Sequence, residues 1–279
     1  LYNINFFQAL KYYYKAYKLN DSINDKRGLA ESLYNIGWIK VMQQKNHKEV
    51  SYLYRSLQLY EEFNDLNGKS SLYHTLGQYY SEYYLYGREK KYFDSAYLYY
   101  DKAIKCIKKG DDRIRRQYPK YYGSLGDLFA LSGDFNSAIF YKQKSIDFHL
   151  KNGDSARYYT NLDDLAEYHF MLGNTDEAIK IDLKCYNYGT RADKKDILLA
   201  TSNHLNNFYY YKKDISKAYK YLKEKMILKD SIEKDLFSSN LNDIQNSFEI
   251  EKREANIKQL KQDNLIQELK AKQNKFALF

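Results

Sequence analysis

Residues 122–138 read Tyr122-Gly123-Ser124-Leu125-Gly126-Asp127-Leu128-Phe129-Ala130-Leu131-Ser132-Gly133-Asp134-Phe135-Asn136-Ser137-Ala138. Tyr122, Leu125 and Phe129 are three and four positions apart, so in a helix they share one face. Gly133 stands where that helix must end and the chain reverse, and Ala138 opens a second apolar stripe. The stretch reads as helix, turn, helix. Both patterns recur along the chain. The second-helix pattern is a small residue, then an aromatic or apolar residue four positions on, then another small or apolar one seven positions on. It is clearest at Ala9–Tyr13–Ala16, Val50–Tyr54–Leu57 and Ala96–Tyr100–Ala103. Ala138 with Ser145, Ala178 with Cys185 and Ala218 with Leu222 are looser copies, and the first members lie 41, 46, 42, 40 and 40 residues apart. The first-helix pattern precedes all but the first: Leu33-x2-Ile36-Gly37, Tyr73-x2-Leu76-Gly77, Tyr122-x2-Leu125-Gly126, Leu162-x2-Leu165-Ala166 and Ser202-x2-Leu205. A fixed period of this size marks a stack of two-helix units.

Each recurring residue has a physical task. Gly37, Gly77, Gly126 and Ala166, set against Ala96, Ala138 and Ala178, let the helices of a pair approach closely, and large aromatics fill the space between successive pairs. Gly133 and Gly173 are expected to end first helices. Gly28, Gly68, Gly110 and Gly153 are expected in the connections between units, and Pro119 in the first turn of a helix, where its missing N–H costs nothing.

These residues resemble the tetratricopeptide repeat, whose pattern includes Leu-Gly-x-x-Tyr followed by a small residue, an aromatic and another small residue. The resemblance covers residues 1–229 and is strongest at Leu125-Gly126-x2-Phe129, Gly133-Asp134-Phe135 and Ala138. It implies an all-α, right-handed superhelical solenoid, here a half repeat plus five repeats. The period is nearer 40 than the usual 34 residues, residues 83–93 look inserted, and the last repeat has Asn206 where Gly is usual. In such arrays the first helices line a concave, ligand-binding face. Carrying the register across places Tyr34, Trp38, His74, Gln78, Asp127, Asp163, Glu167, Asn203, Asn207 and Tyr210 on that face. Asn amides donate and accept at once, which suits an extended peptide backbone, and Tyr34 with Trp38 suits an apolar anchor. The chaperone-binding members of the family clamp a terminal carboxylate with Lys and Asn; Asp163 and Glu167 oppose that chemistry.

The ends carry a second resemblance. Residues 6–19 follow the second-helix pattern with no first helix before them, so an upstream extension is expected. After residue 229 Gly, Pro and Tyr vanish, and Leu241, Ile244 and Phe248, then Ile257 with Leu260, then Ile266, Leu269 and Phe276 are spaced by three and four among polar residues. The clusters share no single heptad register, so residues 230–279 read as a long helical linker that either caps the solenoid or pairs as a homodimer. That tail, from Ile227-Leu228-Lys229-Asp230-Ser231-Ile232 through Phe248-Glu249-Ile250-Glu251-Lys252 to Leu269, is similar to the segment that follows the repeats in bacterial membrane-anchored regulators with histidine-kinase or helix-turn-helix output. The resemblance implies the sensor region of a membrane-anchored signalling protein, periplasmic, with Phe276-Ala277-Leu278-Phe279 as the first turn of a membrane helix. The alternative is a soluble cytoplasmic adaptor for a partner protein.

Composition agrees with helices and excludes other classes. One Pro and 12 Gly in 279 residues leave little room for a turn-rich β fold. Hydrophobic residues make up 44% and aromatics 17%, enough for a packed core. Mean hydropathy is −0.78, and no apolar run in the sequence approaches the roughly 20 residues of a membrane helix. The net charge is +9, and the first 229 residues, with 37 basic and 27 acidic groups, carry +10 of it against −1 in the tail. Its densest stretch, residues 102–120, reads as solvated charge around a helix–helix loop, so nucleic acid is not the expected partner. Chemistry is not expected either. Gly68-Lys69-Ser70 lacks the earlier glycine of a phosphate loop, which is Phe63 here. His47, His74, His149, His169 and His204 show no metal spacing, Cys106 and Cys185 read as small core residues, and no cofactor is implied.

Overall fold

The computed structural model describes residues 3–44, 49–109 and 115–276. Gly110, Arg113 and the last three residues of the expected membrane turn lie outside them. Eleven helices run through the described residues, with no strand among them: α1 (Asn3–Ser22), α2 (Lys26–Gln44), α3 (Val50–Glu62), α4 (Leu66–Gly87), α5 (Lys90–Lys109), α6 (Tyr118–Ser132), α7 (Phe135–Lys151), α8 (Ser155–Met171), α9 (Thr175–Arg191), α10 (Lys195–Tyr211) and α11 (Ile215–Phe276). The chain divides into residues 2–228 and residues 229–279.

One turn design joins most helices of the first unit. A residue in the left-handed region ends one helix and the next residue begins the following one: Asn24-Asp25, Asn64-Asp65, Gly133-Asp134, Gly153-Asp154, Gly173-Asn174, Asp193-Lys194 and Lys213-Asp214. In all seven the second residue's N–H donates to the carbonyl five residues back, as in Asp134 to Phe129 at 3.1 Å, closing the helix with a Schellman bond. The carboxylates of Asp25, Asp65, Asp134, Asp154 and Asp214 then accept from backbone N–H groups of the next helix. A link of this kind, two or three residues long, returns the chain antiparallel to itself.

Glycine placement departs from the sequence reading in two links. Gly28 and Gly68 lie inside the first turns of α2 and α4, and Asn24 and Asn64 take the left-handed positions instead. Packing explains the glycines: a Cβ at Gly68 would stand 2.4 Å from the Tyr60 ring. Gly133, Gly153 and Gly173 do hold left-handed backbone, with φ of 85°, 71° and 84°. Pro119 sits in the first turn of α6. The insertion near residues 83–93 lengthens α4 to 22 residues, closed by Arg88 in the left-handed region.

Each helix pair buries its stripe against the next pair, so the core is a chain of linked clusters rather than one centre. Leu53, Leu72, Leu76 and Tyr79 form one; Ala96, Tyr100, Tyr121, Leu125 and Leu128 the next; then Ile146, Leu162, Leu165, Cys185 and Ile197; then Ala178, Leu205, Phe208, Ala218 and Tyr221. Cys106 and Cys185 are free and buried. In the second unit Leu241, Ile244, Phe248, Ile257 and Leu260 are all exposed. No helix among the described residues is long and apolar enough to cross a membrane.

The close-approach glycines are distinguishable by experiment. A Cβ at Gly77 would meet the buried Tyr100 ring at 2.5 Å, whereas one at Gly123 would find only ordinary contacts at 3.6 and 3.7 Å. Gly77→Ala is expected to lose about 1–3 kcal/mol through overpacking, and Gly123→Ala to gain about 0.5–1 kcal/mol of helix propensity. Urea midpoints of the two variants check the contrast.

Candidate functional site

The position four residues after the small residue of each second helix packs an aromatic in the earlier repeats, Tyr54 and Tyr100. In the next two repeats the same position holds Lys142 and Asp182, both almost fully buried. Buried charge at a core position must be paired. Lys142 Nζ lies 2.5 Å from Asp127 Oδ1 on α6 and 2.9 Å from Asp164 Oδ2 on α8, and the Tyr168 hydroxyl donates to Asp127 Oδ1 at 2.9 Å. Burial opposes the charge on Lys142, but Asp127 and Asp164 outweigh it and hold the ammonium above the usual lysine range. Asp182 is different: burial, then Asp163, pushes its carboxyl well above the usual carboxylate range.

The Lys142 bridge fills a break in a regular row. Neighbouring first helices are linked by side-chain bonds between the residue one place after the pattern's first member and the residue two places after it in the next repeat. Tyr34 Oη lies 3.2 Å from Thr75 Oγ1, His74 Nε2 lies 2.9 Å from Ser124 Oγ, and His204 Nδ1 lies 3.2 Å from Asp163 Oδ1. The link between the third and fourth repeats would join residue 123 to Asp164, but residue 123 is Gly. Asp164 turns to Lys142 instead. Consistently, α2 packs on α4, α4 on α6 and α8 on α10, while α6 and α8 meet only loosely.

The gap is a cleft of about 510 Å³ whose wall includes Gly123, Ser124, Asp127, Lys142, Ser145, Thr160, Asn161 and Asp164, with Arg116, Lys120 and Arg157 adding positive charge. A second cleft of about 470 Å³ shares Asp127 and Asp164 and adds Arg88, Leu131, Phe135, Glu167, Tyr168 and Met171. The two form a groove between α6 and α8 crossed by the salt bridge, one end cationic and polar, the other mixed, with Leu131, Phe135 and Met171 beside Arg88 and Glu167.

The ten residues expected on the concave face fall into different places. Asp127 and Glu167 line the groove together. His74 and Asp163 are buried, which corrects their reading as ligand-facing: His74 stacks on Tyr121 at 4.7 Å. Tyr34 is spent on Thr75, and Trp38 meets Phe6 edge-on at 6.1 Å. Gln78 is half-buried. Asn203 accepts from Lys225 Nζ at 2.7 Å, and Asn207 and Tyr210 are exposed. None of these last six lines either cleft. Lys142, Asp164 and Asp182 were missed, although Lys and Asp at a position reserved for an aromatic were a visible signal.

No protein-family model matches the sequence, and no curated protein is significantly similar to it. Solved structures are. BtubC (BKLC) from P. vanneervenii superposes with a TM-score of 0.66 at 15% identity, covering 82% of this chain and 92% of that one. A kinesin light chain of Podosopora anserina with nearly identical TPR-like repeats gives 0.54 at 12% identity, covering 76% and 96%. This is a TPR-like repeat fold. A Rap protein complexed with Competence and Sporulation Factor gives 0.56 at 12% identity, covering 83% of this chain and 72% of that one.

In this TPR-like array His74 is a stability element with a pH signature. Burial first, and Lys120 second, depress its pKa to about 3, against about 6.5 in an unfolded chain. A depressed value means that the neutral ring's contribution is complete above pH 6.5 and is lost as pH falls toward 3. His74→Gln is therefore expected to lose less stability than the parent between pH 7 and pH 4, by about 3 kcal/mol, as read from denaturant unfolding at both values.

Proposed function

We propose that this chain is a non-catalytic scaffold that binds an extended polypeptide segment in the α6–α8 groove, and that it is the ligand-binding region of a membrane-anchored bacterial signalling protein. The observation that carries the first part is the break at Gly123, which opens a two-part groove where the other first helices are tied together. Arg116, Lys120 and Arg157 suit an acidic side chain or terminal carboxylate through charge-assisted hydrogen bonds. Leu131, Phe135 and Met171 suit an apolar side chain, whose burial is worth roughly 1.5–3 kcal/mol. The Lys142 bridge fixes the distance between the two. The Rap structure supports the reading in that a solenoid of this fold is seen with a bound factor.

The signalling part rests on the tail. Residues 229–276 form a helical connector whose exposed Leu241, Ile244 and Phe248 offer a row for pairing with a second copy, and their resemblance to the linkers of membrane-anchored regulators supports a periplasmic repeat region. The sequence encoded after residue 279 tests it. An apolar span of roughly 20 residues is expected; a stop codon with no such span overturns the anchored reading and leaves the soluble adaptor.

For the groove, panning a random peptide library against the full chain is expected to enrich segments with Asp or Glu set apart from an aromatic or aliphatic residue. Gly123→Leu, which fills the cleft, and Arg157→Ala are each expected to weaken a selected peptide about tenfold, roughly the 1.4 kcal/mol of one lost polar or packing contact, with unchanged helix content. Absence of enrichment, or affinity indifferent to both substitutions, rejects the groove as the binding site.

A further inference from the structure

We propose that Asp163, Asp182 and His204 form a binding site for a divalent transition-metal ion at the junction of α8, α9 and α10. The three residues come from three successive helices, and one donor atom from each lies within 4.8 Å of the others. His204 Nδ1 is 3.2 Å from Asp163 Oδ1 and 3.6 Å from Asp182 Oδ2. Donors held at about 2.0–2.2 Å from a shared ion stand roughly 3–3.6 Å from one another; both histidine–aspartate separations fit, and the two aspartates lie within 4.8 Å of each other.

The independent observation is Asp182. Its side chain is wholly enclosed, it replaces the aromatic of the repeat register, and neither of its oxygens has a hydrogen-bond partner. An acid buried beside a second buried aspartate, with one imidazole near both, needs a partner for its oxygens. A divalent cation supplies it, satisfying both acids and the imidazole nitrogen at once.

The surroundings are those of a ligating histidine. While Nδ1 faces the two aspartates, Nε2 points toward Glu167 Oε2 at 3.9 Å, beyond hydrogen-bond reach, where a water could link the two. The ring also lies nearly parallel to Phe208, at 5.9 Å and 23°. Asp182 is wholly enclosed, whereas Glu167 beside the imidazole is half exposed, so an ion and its waters would enter from the Glu167 side. One imidazole nitrogen and two carboxylates, with no thiolate, select the Zn²⁺, Mn²⁺, Ni²⁺ class. A bound ion would fasten three successive helices together. The ligating residues are not those of the groove, although Glu167 borders both: Asp163 faces α10, while its neighbour Asp164 faces Lys142.

The test uses the full chain, stripped with chelator and dialysed against Zn²⁺, Mn²⁺ or Ni²⁺ in turn, with bound metal read by plasma mass spectrometry and stability by thermal unfolding. One equivalent of at least one metal and a rise in Tm of several degrees are expected, as binding to the folded state alone requires. Asp182→Asn and His204→Gln are expected to reduce bound metal to background, and His169→Gln to retain it. Asp182→Asn keeps the side chain's size and removes a buried acid that has no hydrogen-bond partner, so it is expected to fold at least as well as the parent and decides the matter if His204→Gln does not fold. No metal above background with any of the three ions overturns the proposal. So does metal retained in both variants, which would place it elsewhere. If Asp182→Asn raises Tm in a protein that takes up no metal, the cluster is a proton-sharing carboxyl pair instead.

Discussion

The structure depends on how closely the two helices of each repeat approach. Gly37, Gly77 and Gly126 leave no room for a Cβ without a neighbour moving: Leu53, Tyr100 and the backbone of Ala138 stand 2.8, 2.5 and 3.1 Å from where it would be. That contact fixes the register of the pair, and the register decides which second-helix position is enclosed. In the three middle repeats, what occupies the position four residues after the small residue is enclosed. Tyr100 there is ordinary packing. Lys142 and Asp182 there are buried ionisable groups, and the polar chemistry of the array follows from how the neighbouring helices answer them.

The answers differ because the neighbours differ. Lys142 meets two carboxylates and becomes the centre of a satisfied bridge joining α6, α7 and α8 where direct contact between first helices is weak. It holds open a groove that direct packing would have closed. Asp182 meets another aspartate and a histidine, and its oxygens stay unpaired. A core can keep such charges only if they are compensated, so both repeats carry a departure from regular packing that the turns, caps and apolar stripes elsewhere stabilise.

Much of the fold was legible because it is written in local rules. The spacing of Tyr122, Leu125 and Phe129, the glycines at 133 and 173, and Pro119 each act within a few residues of themselves. Gly28 and Gly68 were harder. Local rules read a glycine beside Asn and Asp as a turn, but the reason for Gly68 is the Tyr60 ring of the preceding helix, a tertiary contact. The concave-face residues were assigned by register alone, which gives a residue's direction but not what lies in front of it. His74 points toward its neighbour repeat and is enclosed by Tyr121 and Tyr100, while Asp127, in the same helix row, opens onto the groove.

The sequence by itself determined the number of helices per repeat, where most of them turn, and which stripe of each is apolar, since helix periodicity, caps and left-handed backbone positions depend on neighbours in the chain. Only the tertiary structure decided that Gly123 opens a cleft, that Lys142 bridges Asp127 and Asp164, and that Asp163, Asp182 and His204 converge. Those residues are separated by 15 to 41 positions. Their meeting depends on the spacing and rotation of successive helix pairs, set by the summed packing of side chains along the stack rather than by any motif in the chain.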